Sequence, residues 1–343
     1  MYLDLKFCII RRPARLNTSI QLAQRVRAVT KPLFMCRLGL KKFLKATMRQ
    51  TLPVFYLISL LGASSPALAA TSVVDTLKAG GKLVIAHRES SVPFSYLDAN
   101  KKPVGYALEL CNAVAESIRL KLGLKSMPIE YLMATPTNRI ELVEQGKAQM
   151  ECGSTTNNAE RRKKVAFTIP HFITGARLLV KSDSRIERLE DLEGKKLVST
   201  KGTTPLKAVE LANRERLLRI QILEAPDHAR GVEMVEKGEA DAFVMDDVLL
   251  FGLVANRKNP AALKVVGKFL TTEPLAIMLP KDDAPFKKLV DDEMRRLIAS
   301  REIYPIYDKW FSLPIPPANT ALNMPVSYLL KDFWNYPSDK VPF

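Results

Sequence analysis

The sequence is poor in the residue types that build metal and redox sites. Its 343 residues include four cysteines and three histidines, with no CxxC pair and no histidines clustered by spacing. Beyond residue 69 the only cysteines are Cys111 and Cys152. Such a pattern argues against a metal centre, and no cofactor signature is present either. We therefore expect neither a metal nor a cofactor.

Long hydrophobic runs are also missing. The apolar stretch at residues 52–62 is far too short for a membrane-spanning helix, which needs roughly 20 residues. It is followed by the small-x-small sequence of residues 67–69 and preceded by four cations, Lys41, Lys42, Lys45 and Arg49. This order is typical of a secretory signal peptide. We predict export to the periplasm, with cleavage near Ala69.

The leader has an unusual length for an export signal. Met48 begins a segment of ordinary signal-peptide size. We therefore interpret residues 48–69 as the signal peptide and residues 1–47 as an over-extended gene start. No cysteine stands at the predicted cleavage site, so a lipid anchor on such a cysteine is not indicated.

Acidic residues are scarce only in the leader. The whole chain has a net charge of +16, but residues 1–69 contain twelve Lys/Arg and a single acid, Asp4. The remaining residues carry 40 Lys/Arg against 35 Asp/Glu. Because most of the basicity is removed with the leader, a basic nucleic-acid-binding domain is not expected.

Two cysteines remain after cleavage. In an oxidising compartment Cys111 and Cys152 can form a disulfide. Two buried, unpaired thiols are the alternative, since free cysteine packs well in apolar cores. The sequence leaves both possibilities open.

From residue 75 the chain alternates short apolar runs with helical patterns. Residues 82–86 form a compact β-type run, and residues 107–122 carry an apolar helical stripe that a glycine ends. This alternation predicts an α/β fold with helices on the sheet faces. We predict two lobes joined by hinges: residues 71–180 with 273–343, and residues 181–272.

An internal repeat supports two lobes of similar construction. The segment ELVEQGKA at 141–148 reappears as EMVEKGEA at 233–240, and each copy leaves a helix at a glycine and enters a strand. A second, shorter repeat is the tripeptide KLV, which occurs at residues 82–84 and again at residues 196–198. Continuing the register sets Ser154 against Asp246, each just past a strand. Open α/β sheets bind ligands at the carboxyl ends of their strands, so the repeat predicts a ligand cleft between the lobes.

Polar segments directly follow the predicted strands. They read HRESSVPFSY from residue 87, TPTNR from residue 135, ECGSTTNN from residue 151 and MDD from residue 245. These motifs closely resemble those of glutamate/aspartate-binding proteins of ATP-binding-cassette (ABC) uptake systems, over residues 75–343. The resemblance implies a type II periplasmic binding fold. It also implies a monomeric binding protein, not an enzyme, that captures L-glutamate or L-aspartate and passes it to a permease by hinge closure.

The resemblance further implies ligand contacts from the first lobe. Arg161 with Thr156 would hold the α-carboxylate, while Arg88 and Arg139 would hold the side-chain carboxylate and Ser154 would add a hydrogen bond. The residue types fit this chemistry, because a buried dicarboxylate needs bidentate cationic donors and arginine supplies them better than lysine.

The second lobe would complete the site. By the same resemblance, Thr203 and Thr204 would supply hydroxyl or backbone donors at a helix start, and His228 would reach the distal carboxylate. Asp246 would accept the ligand ammonium. As an alternative, Asp246 or Asp247 caps the helix that begins near Val248.

One position departs from the family pattern. A serine commonly stands where this chain has Pro136, and proline supplies neither a hydroxyl nor an amide hydrogen. Losing one hydrogen bond costs about 0.5–1.5 kcal/mol. The substitution leaves the choice among glutamate, aspartate and an amide open.

Two other functions use the same fold. One is an amino-acid receptor that serves signalling rather than uptake. The other is a dehydratase-like enzyme with Glu89 or Glu151 as the general acid, which would need a shifted pKa and a leaving group within reach.

Overall fold

A computed structural model describes residues 71–341, so the predicted leader and its cleavage site lie outside the described residues. Over this range the helices are α1 (Val73–Lys78), α2 (Tyr106–Lys121), α3 (Arg139–Glu144), α4 (Thr204–Glu215), α5 (His228–Glu236), α6 (Asp247–Ala255), α7 (Ala284–Ala299), α8 (Ile303–Phe311) and α9 (Tyr328–Asn335). None of these helices is long and apolar enough to cross a membrane.

The strands of the same range are short. In chain order they are β1 (Leu83–His87), β2 (Ser90–Ser91), β3 (Ser95–Leu97), β4 (Pro103–Val104), β5 (Ile129–Met133), β6 (Met150–Glu151), β7 (Val165–Phe167), β8 (Phe172–Thr174), β9 (Ala176–Lys181), β10 (Lys196–Thr200), β11 (Gln221–Ala225), β12 (Ala242–Asp246), β13 (Leu263–Val266), β14 (Glu273–Leu275), β15 (Met278–Pro280), β16 (Pro314–Ile315) and β17 (Thr320–Ala321).

Two five-stranded sheets share one strand order. The first runs β5-β1-β6-β15-β7, with β5, β1 and β6 parallel and β15 antiparallel to both of its neighbours. The second runs β11-β10-β12-β9-β13 with the same directions. The repeated sequence segments therefore lead into equivalent strands, β1 with β10 and β6 with β12. We call each sheet with the helices packed on it a lobe.

The apolar runs of the sequence form the central strands. All five residues of β1 and all five of β12 are buried, as expected for strands covered by helices on both faces. The helical stripe predicted at 107–122 is confirmed in α2, where Leu108, Ala115 and Ile118 are at most 2% exposed. In α7, the Asp283 side chain accepts the Phe286 N–H and so caps the first turn.

The chain passes between the sheets through a two-stranded ribbon. Strands β8 and β14 pair antiparallel, with Thr174 opposite Glu273. Strand β8 immediately precedes β9 of the second sheet, and β14 immediately precedes β15 of the first. The ribbon thus lies where the backbone leaves one lobe and where it returns.

Cys111 and Cys152 are joined by a disulfide. Their Cα atoms lie 6.4 Å apart, and 41 residues separate them in sequence. Both residues are fully buried. Of the two possibilities that the sequence leaves open, the structure has the bonded pair. The bond attaches α2 to the segment that follows β6, which carries part of the predicted site.

We expect the disulfide to stabilise the fold substantially. A cross-link closing a loop of this length removes chain entropy from the unfolded state worth about 4 kcal/mol. Urea unfolding with and without reductant measures the effect, and the Cys111→Ala/Cys152→Ala variant should unfold at the lower urea concentration under both conditions. Coinciding curves for oxidised and reduced wild type would contradict the expectation.

Candidate functional site

The predicted site residues lie at the carboxyl ends of equivalent parallel strands. In the first lobe, the segments after β1, β5 and β6 carry Arg88, Arg139 and Ser154. In the second lobe, the segments at the ends of β10, β11 and β12 carry Thr203, His228 and Asp246. The register predicted from the internal repeat therefore places three loops of each lobe at one edge of its sheet.

A local turn positions Arg139. Asn138 Oδ1 accepts the Thr135 N–H at 2.8 Å, and Thr135 Oγ1 accepts the Asn138 N–H at 3.2 Å. These side-chain bonds compete with helix formation, and α3 begins directly after the turn, at Arg139. The turn brings the arginine to the first position of the helix.

Helix starts position the second lobe's residues. Thr203 caps α4 by accepting the Leu206 N–H, and Asp227 caps α5, which puts His228 at its first position. Asp246 occupies the N-cap position of α6, but its side chain makes no capping bond. The Asp246 carboxylate therefore does not cap this helix, which was the alternative role for this residue.

Three guanidinium groups are buried where the lobes meet. Arg88 and Arg139 are each 2% exposed and Arg161 is 7% exposed. Arg161 Nη1 donates to the Thr156 carbonyl at 2.9 Å. Arg139 Nη2 and Arg161 Nη2 both lie 3.4 Å from the carbonyl oxygen of Gly202 in the other lobe. Within residues 71–341, Nε and Nη1 of Arg88 and Nε of Arg139 have no hydrogen-bond partner.

Burial and mutual repulsion act on these cations. Burial first, and repulsion from Arg139 second, lower the pKa of Arg88 and that of Arg161 to about 9 each. Burial also lowers the pKa of Arg139. All three stay charged at neutral pH, but the charged form of each guanidinium is less stable here than it is in water. An anion placed among them would relieve both effects.

Three buried carboxylates face the arginines. Glu151 is 0% exposed, Asp246 3% and Glu273 2%, and all three attract Arg139. Among residues 71–341, both oxygens of Glu151 and Oδ1 of Asp246 have no hydrogen-bond partner. Burial, followed by repulsion from Glu273 and Asp247, holds the pKa of Asp246 well above its usual value.

Sequence reasoning missed Glu273. Its Oε2 accepts hydrogen bonds from Thr156 Oγ1 at 2.6 Å and from Thr204 Oγ1 at 2.7 Å. No motif signals this residue, although it directly follows the crossing predicted near residue 272. For Glu151, the sequence suggested only the role of general acid in a dehydratase-like enzyme. Glu89, the other candidate acid, is exposed.

His228 is held as a neutral donor or acceptor. The Thr200 hydroxyl lies 2.9 Å from its Nδ1, and Nε2 has no partner in the described part of the chain. Burial, then repulsion from Arg88 and Arg139, lowers its pKa well below the ordinary histidine value. In the tautomer that accepts at Nδ1, Nε2–H is available to an acceptor in the site.

The lobes touch directly around these groups. A Cβ on Gly202 would lie 2.8 Å from the carbonyl oxygen of Pro136 in the first lobe. Thr156 Oγ1 and Thr204 Oγ1 are 3.2 Å apart, again across the lobes. In the described residues, no three His, Cys, Asp or Glu side chains group as metal ligands. The enclosed groups offer cationic donors and at least one anionic acceptor.

The sequence matches the model of the bacterial extracellular solute-binding proteins, family 3, over residues 83–313. The chain belongs to this family. A glutamate/aspartate import solute-binding protein from Escherichia coli (strain K12) is 41% identical over 278 residues, which make up 81% of this chain and 92% of that protein. An L-glutamate/L-aspartate-binding protein from Pseudomonas aeruginosa is 40% identical over 283 residues, 82% of this chain and 94% of that protein.

Solved structures share the two-lobed fold of this family. The ancestral amino acid-binding protein AncCDT-1, described as a precursor of cyclohexadienyl dehydratase, is 28% identical with a TM-score of 0.59. That match covers 70% of this solute-binding protein and 99% of AncCDT-1. The type II periplasmic binding fold predicted from the sequence is confirmed.

We expect Asp246→Asn to stabilise the ligand-free protein at neutral pH. Because the folded-state pKa is raised, the ionised carboxylate opposes folding above the usual aspartate pKa, and the neutral amide removes that opposition. A gain of about 1 kcal/mol in the free energy of unfolding is typical when a functional site is relieved in this way. The gain should shrink as pH falls below the raised folded-state pKa of Asp246 and vanish near the unfolded-state value of about 4, where both states are protonated.

Denaturant unfolding at several pH values measures this effect. Asp183→Asn, an exposed aspartate of the same lobe, is the matched control and should be nearly neutral throughout. A wild type more stable than Asp246→Asn at pH 7 would contradict the expectation.

Proposed function

We propose that the protein captures an acidic amino acid, L-glutamate or L-aspartate, between its lobes and delivers it to the permease of an ABC importer. The observation that carries the proposal is the burial of three arginines, with donor atoms of Arg88 and Arg139 that have no partner in the described part of the chain, in a protein 41% identical to a glutamate/aspartate import protein. Burying two carboxylates requires such paired cationic donors.

The contacts divide according to charge. Arg161, with Thr156, binds the ligand α-carboxylate. Arg88 and Arg139 bind the side-chain carboxylate, whose negative charge offsets the repulsion between their guanidinium groups. Ser154, which is 6% exposed on the loop after β6, adds a hydrogen bond.

The second lobe supplies the remaining partners. Asp246 receives the ligand ammonium through Oδ1, which has no hydrogen-bond partner among residues 71–341, and the resulting ion pair lowers its raised pKa. His228 donates Nε2–H to the distal carboxylate, while Thr203 and Thr204 contribute donors at the start of α4. The ligand thus contacts both lobes and favours the form in which they meet.

Closure then depends on the ribbon of β8 and β14. We place the hinge there, close to the crossings predicted near residues 180 and 272. The ligand shifts the equilibrium towards the closed form by the difference between its binding free energies for the closed and open forms. A permease would recognise the closed form of a monomer exported to the periplasm after cleavage near Ala69.

A dehydratase-like enzyme is the second candidate function. It is favoured by the buried Glu151, whose two oxygens have no hydrogen-bond partner within residues 71–341, and by the likeness to AncCDT-1. Only glycine at position 153 leaves room beside this carboxylate, since a Cβ there would lie 2.5 Å from Oε1. Turnover of a bound carboxylic acid, absent in Glu151→Gln, would identify an enzyme.

Calorimetry of residues 70–343 tests the primary proposal. After unfolding and refolding to remove carried-over ligand, the protein is titrated with L-glutamate, L-aspartate, L-glutamine and L-asparagine. We expect an acidic amino acid to bind with a Kd of about 1 μM or tighter. Arg161→Ala should weaken binding on the order of 100-fold, because it leaves a buried carboxylate unpaired.

Arg185→Ala, an exposed arginine of the second lobe, is the control and should bind as wild type does. Preference for the amides would show that Pro136 has changed the distal end of the pocket. No binding of any of the four would reject the proposed function.

Gly202→Ala should weaken binding of the preferred amino acid about tenfold. Gly202 has φ +77° and packs on the Pro136 carbonyl, so a methyl group both strains the backbone by about 1–2 kcal/mol and keeps the lobes apart. Gly194→Ala is the matched control, because Gly194 has φ +72° in the same lobe with nothing within 4 Å of an added Cβ. Equal affinities for the two variants would show that the contact with Pro136 does not limit closure.

A further inference from the structure

Glu273 receives hydroxyl groups from both lobes. Thr156 Oγ1 of the first lobe and Thr204 Oγ1 of the second donate to the same carboxylate oxygen, at 2.6 and 2.7 Å. Glu273 is 2% exposed, so water does not compete for this oxygen. Hydrogen bonds to a buried carboxylate are among the strongest that neutral side chains make.

The backbone fixes Glu273 to the first lobe. The Asn157 N–H donates to the Pro274 carbonyl at 2.8 Å, and the Ala276 N–H donates to the Thr155 carbonyl at 3.0 Å. Both bonds join the segment after Glu273 to the loop that carries Thr156. Thr156 and Glu273 therefore move together, whereas Thr204 belongs to α4 and reaches them only when the lobes meet.

The other strand of the ribbon is tied to the second lobe as well. Thr174, which pairs with Glu273 across the ribbon, donates its hydroxyl to Asp247 Oδ1 at 2.6 Å. Asp247 begins α6. Two facing ribbon residues thus contact the starts of two second-lobe helices, α4 and α6.

We propose that Glu273 is a latch of the closed state, a positioning residue that ties the start of α4 to the first lobe through Thr204. This inference rests on the proposed function, since it assigns the group that holds the lobes around the amino acid. Opening the lobes breaks the Thr204 bond and keeps the Thr156 bond. Glu273 therefore favours the closed form over the open one.

The bond to Glu273 also fixes the direction in which the Thr156 hydroxyl donates its hydrogen. A hydroxyl has one hydrogen, and Thr156 donates it to Glu273. This hydrogen is then not available to the ligand, so what Thr156 offers the α-carboxylate beside Arg161 is its backbone N–H.

Stopped-flow dissociation of L-glutamate tests the latch. We expect Glu273→Gln and Thr204→Val each to raise the dissociation rate about tenfold, the equivalent of one charge-assisted hydrogen bond. Because Glu273→Gln weakens the bond that Thr204→Val removes, the double variant should dissociate no faster than the faster single one. Thr204→Ser keeps the hydroxyl and should dissociate more slowly than Thr204→Val.

Ser117→Ala is the matched control. Ser117 donates its hydroxyl to Glu293 Oε2 at 2.6 Å, and Glu293 is 2% exposed like Glu273. This bond lies between α2 and α7 within one lobe. Its loss should lower the Tm as the latch variants do, without changing the dissociation rate. Equal acceleration in Ser117→Ala, or additive effects in the double variant, would overturn the latch.

The latch and the proposed function fail differently. If wild type binds none of the four amino acids, the function is wrong, and the latch is decided by small-angle scattering of the protein alone. The latch then requires a larger radius of gyration for Thr204→Val than for Thr204→Ser. Equal radii for these two variants would reject it.

Discussion

The structure depends on three buried guanidinium groups, those of Arg88, Arg139 and Arg161, which lie where the two lobes meet. Each would be costly in isolation, because burial of an unpaired ion carries a desolvation penalty of several kcal/mol. Carboxylates from three separate parts of the chain attract Arg139: Glu151 at the end of β6, Asp246 at the end of β12, and Glu273 on the crossing ribbon. No single lobe contains all three carboxylates, so this attraction is complete only when the lobes are together.

The two lobes contribute different chemistry from the same topology. Equivalent strand ends carry Arg88 in the first lobe and the Thr203 segment in the second, and likewise Ser154 and Asp246. All three arginines come from the first lobe, whereas the buried carboxylate of Asp246 and the neutral imidazole of His228 come from the second. A ligand with two carboxylates and one ammonium therefore gains from contacts on both sides, which couples its binding to closure.

Strand ends were predictable from the sequence, and contacts between distant segments were not. The sequence repeat predicted that β6 and β12 are equivalent strands, and it therefore predicted that Ser154 and Asp246 occupy matching positions at the strand ends. Glu273 meets Thr156 across 117 residues, a pairing that depends on how the ribbon folds, and no local pattern encodes it. The start of α3 at Arg139 likewise depends on the side-chain bonds of Thr135 and Asn138, which compete with helix formation. The two cysteines were identified, but their bonding depends on the packing of α2 against β6.

Pro136 shows why a departure from a family pattern needs its surroundings. From the sequence alone, it removes a hydroxyl that the family pattern leads one to expect and leaves the choice among glutamate, aspartate and an amide open. In the fold its carbonyl packs on Gly202 of the other lobe, within the turn that presents Arg139. Proline fixes φ and has no N–H to satisfy, so it stiffens a segment that must meet the second lobe in one geometry. Because this segment both contacts the second lobe and leads into Arg139, we expect Pro136 to act on closure as well as on the position of that arginine.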